Sequence, residues 1–281
     1  MLRTQRELRV LGPADLQEVT GLLSRDPVVN VVTDYRARTT QLLPRWLNGE
    51  VWGCFEADRL TSVCHSAANL IPVMADPPAL EMFAERAAGQ PRRCSTLLGP
   101  SDQVAVMWDT LGPLWSPARA IRPDQPHLEI STRPLVAPDP LVRVSRPDDV
   151  DTLYPACVAM YTEEVGVSPE DHGGAALYRA RVAQLVARGW SFARIEDGRV
   201  VFKAEIAAAS PHACQVQGVY VAPDRRGEGL GTSGMAAVVD LALSHIAPVV
   251  SLYVNEHNVA ARRVYERVGF RQTATFTTIM F

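Results

Sequence analysis

Lysine is nearly missing from this chain. Lys203 is the only one among 28 lysine and arginine residues, so the positive charge is carried by arginine. Against 31 acidic residues the net charge is −3, which gives no basic footprint for nucleic acid. Cysteine is scarce as well: Cys54, Cys64, Cys94, Cys157 and Cys214 are odd in number, scattered, and form no C-x-x-C pair. That pattern argues against a disulfide framework or a metal site and fits small buried hydrophobes in a reducing compartment. No apolar run approaches the roughly 18–20 residues of a membrane span. Met1 to Val10 carries Arg3, Arg6 and Arg9 with no apolar stretch behind them, so it is no secretory signal. The expected location is cytoplasmic, with neither membrane nor nucleic acid as partner.

What remains is an ordinary globular composition, 47% hydrophobic and 21% charged over 281 residues. That length suits two domains and a core that needs no staple. An internal echo supports two. Val10-Leu11-Gly12-Pro13-Ala14-Asp15-Leu16 opens a helical pattern running to about Leu23. Val144-Ser145-Arg146-Pro147-Asp148-Asp149-Val150, 134 residues on, opens another running to about Met160. Both put proline in the first turn and acids near the N-terminus, where the helix dipole favours them. Two hairpins follow in the same order, turning at Asp58-Arg59 and at Asp197-Gly198. The proline-bearing segment Thr132 to Pro140 is the expected linker, dividing the chain into lobes 1–140 and 141–281. Trp108 and Trp115 fit a core or a lobe interface. The six histidines show no metal spacing and are expected at the surface.

In the second lobe, Ser191–Ile195 and Val200–Ala207 form a hairpin and Cys214–Val221 a further strand. A helix from Thr232 to about Ile246 carries Met235, Val238, Val239, Ala242 and Ile246 at helical spacing. Val249–Val254 is then a buried strand parallel to Cys214–Val221. A last helix, Asn258–Val268, stops at Gly269, and Thr273–Phe281 is a final strand. Strand and helix are joined by Arg226-Gly227-Glu228-Gly229-Leu230-Gly231-Thr232. Glycines there let the backbone approach a ligand and gather successive amides, and the helix N-terminus adds roughly half a positive charge. A pyrophosphate suits that turn, with Arg226 as a charged contact. The acid position of a dinucleotide fingerprint is missing, as is the Gly-Lys-Ser/Thr of a Walker loop. The corresponding stretch of the first lobe, Leu97-Leu98-Gly99-Pro100-Ser101-Asp102, offers no run of free amides; the first lobe is a degenerate copy.

The turn Arg226-x-x-Gly229-x-Gly231, followed by Leu252-Tyr253-Val254-Asn255-x-x-Asn258-x-x-Ala261-x-x-x-Tyr265-x-x-x-Gly269-Phe270, resembles the GCN5-related N-acetyltransferase (GNAT) superfamily. The resemblance covers roughly Leu141 to Phe281, and the two-lobed plan is similar to that of its tandem members. It implies an α/β (α+β) fold: two lobes, each a mixed, mostly antiparallel sheet flanked by helices, with parallel strands splayed at the second lobe's cofactor site. It also implies transfer of acetyl from acetyl-CoA to a primary amine of a small molecule or protein, by direct attack in a ternary complex. On that reading Val219, Tyr220 and Val221 bond the pantetheine arm. Arg226, Gly227, Glu228, Gly229, Leu230, Gly231 and Thr232 hold the pyrophosphate through backbone amides, with the Glu228 side chain turned to solvent. Asn258 meets the pantetheine arm, or caps its helix, or both. Tyr265 protonates the leaving thiolate, or only packs in the core. Glu205, alternating with Lys203 on a strand beside the cleft, is the first candidate for the base, and Glu163 and Glu164 the next. Gln215 and Gln217 leave the neighbouring strand without an acid. The rival from another class is a non-catalytic acyl-CoA sensor that keeps the turn and lacks acceptor chemistry.

Overall fold

The computed structural model describes residues 6–281, so Arg3 and the rest of the first five residues lie outside the described residues. In chain order the elements are β1 (Arg6–Val10), α1 (Leu16–Leu23), α2 (Val31–Thr40), α3 (Pro44–Leu47), β2 (Glu50–Glu56), β3 (Arg59–Ser66) and β4 (Asn69–Val73). Then come α4 (Pro77–Ala88), β5 (Thr96–Pro100), α5 (Ser101–Leu111), β6 (Ala120–Ile130), β7 (Arg143–Val144), α6 (Val150–Val165) and α7 (Ala175–Ala187). The chain closes with β8 (Ser191–Glu196), β9 (Arg199–Ala209), β10 (Cys214–Val221), α8 (Leu230–His245), β11 (Val250–Tyr253), α9 (Val259–Val268) and β12 (Arg271–Met280).

Two compact units result, and neither is a continuous stretch. The first runs to Leu128 and adds Tyr253–His257 and Gln272–Phe281; the second is Glu129–Leu252 with Asn258–Arg271. The expected cut at residue 140 therefore differs from the packing at both ends of the second lobe. Burial explains the larger difference. β12 pairs antiparallel with β5, from Phe276↔Pro100 to Met280↔Thr96. Its Ile279 joins the apolar cluster of Trp52, Phe83, Leu97 and Met107. Phe281 then meets Trp115 edge-on at 5.3 Å, so both Trp108 and Trp115 pack in this unit's core. The last strand follows its apolar side chains rather than its neighbours in sequence.

The first unit orders its strands β1-β2-β3-β4-β5-β12-β6, and the second β11-β10-β9-β8-β7, with helices on the faces. The architecture is mixed α/β with mostly antiparallel strands, as the sequence implies.

The duplication is visible atom by atom. Arg9 grips Asp15 with both Nη atoms, at 3.0 and 2.7 Å, and Arg143 grips Asp149 at 2.7 and 2.9 Å. In each copy the same carboxylate also accepts the amide three residues before it, from Gly12 and from Arg146. Both hairpin turns take positive φ at two central residues, Ala57-Asp58 and Asp197-Gly198, as a tight primed turn requires. Each copy also has one parallel strand pair held by only two registered residues. These are Asn69↔Thr96 and Leu70↔Leu97 in the first copy, Cys214↔Val250 and Gln215↔Ser251 in the second.

The copies part at the next turn. In the first lobe that turn follows β4, at Met74 to Pro78, and not, as expected, at Leu97 to Asp102, where β5 ends and α5 starts. In the first, Asp76 caps α4 by accepting the amide of Ala79, and Arg6 clamps that carboxylate at 2.6 and 2.7 Å. Pro77 and Pro78 supply no amide hydrogens. The helix end that would draw an anion is occupied by the chain's own.

Four histidines are exposed as expected, but His65 and His127 are not. They sit on β3 and β6, and neither ring nitrogen of either finds a hydrogen-bond partner among the described residues. Burial pushes both imidazoles down to about 4, with Arg36 adding to the effect at His65. Both are therefore neutral in the fold at pH 7. Below pH 6.5 the unfolded chain binds protons that the fold refuses, so stability falls as pH drops towards 4. The slope is about 1.4 kcal/mol per pH unit for each ring. Urea midpoints measured from pH 7 to 4 should show this decline, and a His65→Phe/His127→Phe variant should flatten it.

Candidate active site

β10 turns from strand to site through a bulge. Its pairing with β9 slips between Gln217↔Glu205 and Tyr220↔Lys203, leaving two residues of β10 opposite one of β9. Gly218 sits there at φ +61°. A Cβ on it would lie 3.1 Å from Met160 Cε and 3.2 Å from Glu205 Oε2, so only glycine fits. On its other edge β10 is parallel to β11 only as far as Gln215↔Ser251, and beyond that the strands part. Val219, Tyr220 and Val221 lie on this parted stretch, half-buried.

The turn that follows presents a run of unbonded backbone amides. Gly227 and Gly229 both take φ +86°, which L side chains adopt only at a cost. The amides of Gly227, Glu228, Gly229, Leu230 and Gly231 donate to no carbonyl or side chain among the described residues. They gather at the N-terminus of α8, where the macrodipole is positive. Thr232 turns its amide back to Gly229 O at 3.0 Å, so its own contribution is limited to the side chain. α9 closes in on the same place: a Cβ on Gly231 would lie 3.5 Å from Val264 and 3.6 Å from Val221. α8 itself lies tight on the sheet, with Gly234 so close to the Phe202 ring that a Cβ would fall 2.8 Å from it.

The charged residues of the turn are engaged. Arg225 holds Glu228 at 2.8 Å and Glu196 at 2.7 Å, which draws the Glu228 carboxylate off the amides. Arg226 donates to Glu163 at 2.7 Å and to Val221 O at 3.2 Å. No spacing in the sequence announces the Glu163 link; only the fold brings the end of α6 against the turn.

Asn258 is the N-cap of α9, its side-chain oxygen accepting the Ala261 amide at 3.1 Å. Tyr265 is buried, 6% exposed, with its ring edge-on to Phe270 at 5.8 Å, and its hydroxyl makes no hydrogen bond among the described residues. Burial, and after it the charge of Glu164, push its phenol well above its ordinary value. It stays a donor throughout the working pH range.

Glu205 is brought beside the bulge, but not as a free carboxylate. Lys203 Nζ donates to it at 2.6 Å, and the two side chains are 0% and 6% exposed. Cys157 Sγ and Gln217 Nε2 each approach it at 3.5 Å. Burial pushes Glu205 up, yet the Lys203 ammonium outweighs burial and holds its carboxyl below the ordinary value. Such a group is a weak base. Its environment suits a support beneath the bulge rather than the proton acceptor expected of it. The alternation of residues 203 and 205 signalled a shared strand face; that they neutralise each other depends on burial.

All five cysteines are buried. No group of three or more His, Cys, Asp or Glu able to hold a metal ion occurs among the described residues. Nor, among them, is any helix long and apolar enough to cross a membrane.

Parallel strands parting at a bulge, with a glycine turn feeding a helix, are the arrangement that the resemblance to the GNAT fold implies. Solved structures agree over the whole chain. An acetyltransferase of the GNAT family from Colwellia psychrerythraea superposes with TM-score 0.62 at 10% identity, covering 98% of this chain and 99% of that one. A GCN5-related N-acetyltransferase from Sphaerobacter thermophilus gives 0.60 at 15% identity, covering 100% and 97%. A tandem GNAT protein from the clavulanic acid biosynthesis pathway gives 0.57 at 15%, covering 98% of each. At these identities the likeness is one of fold.

Sequence carries the identification further. Residues 159–270 match the Acetyltransferase (GNAT) family, and residues 49–153 match a Domain of unknown function (DUF4081). The chain thus carries a GNAT acetyltransferase domain in its second half, behind a divergent first lobe. A mycothiol acetyltransferase from Acidimicrobium ferrooxidans is 35% identical over 79 residues, which is 27% of this chain and 26% of that protein. The match spans about a quarter of that relative's length.

Proposed function

We propose that the second lobe transfers acetyl from acetyl-CoA to a primary amine, by direct attack in a ternary complex. The observation that carries this reading is the run of free amides from Gly227 to Gly231, set where β10 and β11 part. The amides and the Arg226 guanidinium receive the pyrophosphate, with Arg226 exchanging Glu163 for it. The open edge at Val219–Val221 receives the pantetheine amides in the manner of an adjoining strand. Asn258 fixes the start of α9 and lies beside the arm. Tyr265 donates its hydroxyl hydrogen to the thioester sulfur as the carbon–sulfur bond breaks. No buried cysteine lies on the turn, so nothing supports an acyl-enzyme. Lys203 and Glu205 hold the bulge that shapes the strand.

Calorimetric titration tests this directly. The wild type should bind acetyl-CoA and free coenzyme A at one site per chain, because Asp76, Pro77 and Pro78 close the equivalent turn of the first lobe. Gly229→Trp forces a side chain into a left-handed position and should weaken binding about tenfold or more, with the circular dichroism spectrum unchanged. Absence of binding to the wild type would overturn the reading of the turn; two sites per chain would overturn the closure of the first lobe.

A further inference from the structure

The chain's single lysine lies against a thiol. Cys157 faces inward from α6 and Lys203 stands on β9, the first 1% exposed and the second fully buried. Their side chains meet on one atom: Lys203 Nζ donates to Glu205 Oε1 at 2.6 Å, and Cys157 Sγ donates to the same oxygen at 3.5 Å. Sulfur and nitrogen are therefore neighbours, and each acts on the other directly. The other carboxylate oxygen, Oε2, faces Gly218 of the β10 bulge. What sets this pair apart is the kind of cation. Cys54 and Cys94 lie near Arg6 and Arg92, whose guanidinium groups keep their protons. At Cys157 alone the neighbour is a side-chain amine, which loses protons when buried and forms bonds as a nucleophile. Burial pushes the Cys157 thiol up to about 11, and the ammonium is the group that pulls hardest against it.

We infer that Cys157 and Lys203 are a covalent modification site, where molecular oxygen joins Sγ to Nζ through one bridging oxygen atom. Dioxygen is small and uncharged, and Cys157 sits among Leu153, Val182 and Val186, an apolar lining that imposes no desolvation cost on it. In the reaction the S–H bond and two N–H bonds of the ammonium break, and an S–O and an O–N bond form. Sulfur and nitrogen each lose two electrons, and dioxygen takes all of them. One of its atoms becomes the bridge, and the other leaves as water with two of the protons. The remaining proton stays on Glu205, which already accepts a hydrogen bond from both partners. The linked site then holds no charge: a buried ion pair has become a nitrogen–oxygen–sulfur link and a neutral acid, which burial favours. Two equivalents of a dithiol reverse the reaction, restoring thiol and amine and releasing the bridging atom as water. Without its ammonium Glu205 loses the partner that fixes it against Gly218, so the link disturbs the bulge. That it thereby slows turnover rests on the acetyl transfer proposed above.

A lysine-specific protease has one place to cut this chain, after Lys203, and a linked lysine denies it that place. The full chain is kept in air-saturated buffer at about pH 9, where more of the thiol is ionised, or under nitrogen with dithiothreitol, and then denatured. The aerated chain should gain the mass of one oxygen less two hydrogens and resist the protease. Dithiothreitol should restore both mass and cleavage. Cys157→Ser should be cut under either condition, and Cys214→Ser should stay protected after aeration. Turnover of the wild type should fall in proportion to the linked fraction and return with dithiothreitol. Unchanged mass with full cleavage after aeration overturns the inference. So does oxygen added with cleavage intact, or protection that persists in Cys157→Ser. Mass is read on the wild type, so a Cys157→Ser variant that fails to fold leaves that result standing. A link that forms while turnover stays full overturns its effect on the bulge. A wild type without acetyl transfer removes the reading beneath the turnover measurement, and mass and cleavage still decide the link.

Discussion

Tyr265→Phe is expected to cut acetyl transfer by about a hundredfold to ten-thousandfold, the range a positioned proton donor contributes. Coenzyme A affinity and thermal stability should not move. The reason is in the hydroxyl itself. It makes no hydrogen bond among the described residues, so removing it strands no partner there, and the ring's edge contact with Phe270 survives in phenylalanine. A tyrosine kept only for packing would lose nothing in this substitution. Burial and the charge of Glu164 hold the phenol protonated, so the hydrogen is present when the thiolate departs. Thiol release in single turnover, beside calorimetry with coenzyme A, reads both quantities. Unchanged turnover would remove Tyr265 from the chemistry. A wild type that binds acetyl-CoA and acetylates no amine would favour the non-catalytic sensor.

Local rules carried a good part of this fold. The helix over Leu16–Leu23 and the strand over Cys214–Val221 follow from periodicity and turn residues, because each element's burial matches its own pattern. The glycine turn was equally legible as a turn, since positive φ at Gly227 and Gly229 is a local demand that only glycine meets cheaply. What escaped the sequence depends on distant partners. β12 leaves the lobe that precedes it because Ile279 and Phe281 fill the core around Leu97, Trp108 and Trp115. His65 and His127 look like surface residues until their strands are placed inside a sheet. The link from Arg226 to Glu163 joins residues 63 apart in sequence, and no local spacing announces it. Glu205 was chosen as base for its strand face; the same face put an ammonium beside it.

That ammonium belongs to the chain's single lysine, and its removal should have the largest effect on stability. Lys203→Met leaves the Glu205 carboxylate buried with the thiol of Cys157 and the amide of Gln217, each at 3.5 Å, as its remaining side-chain hydrogen-bond partners among the described residues. Breaking a buried pair from one side costs about 3–5 kcal/mol. Replacing both partners should not: in Lys203→Met/Glu205→Leu the desolvation penalty of both ions disappears, and most of the loss should be recovered. Lys203→Arg is no remedy, because a planar guanidinium is bulkier than the compact ammonium and the site is closed to solvent, with the side chain 0% exposed. Urea unfolding of the two single variants and the double variant measures the cycle directly. Recovery of stability in the double variant should come without recovery of full turnover. Glu205 Oε2 packs against Gly218, so an apolar side chain there changes what the β10 bulge rests on, and the strand edge that bulge aims is the one proposed to hold the pantetheine arm. A double variant both as stable and as active as the wild type would reduce the pair to core filling. Lost activity with normal stability would instead tie Lys203 and Glu205 to the geometry of the site.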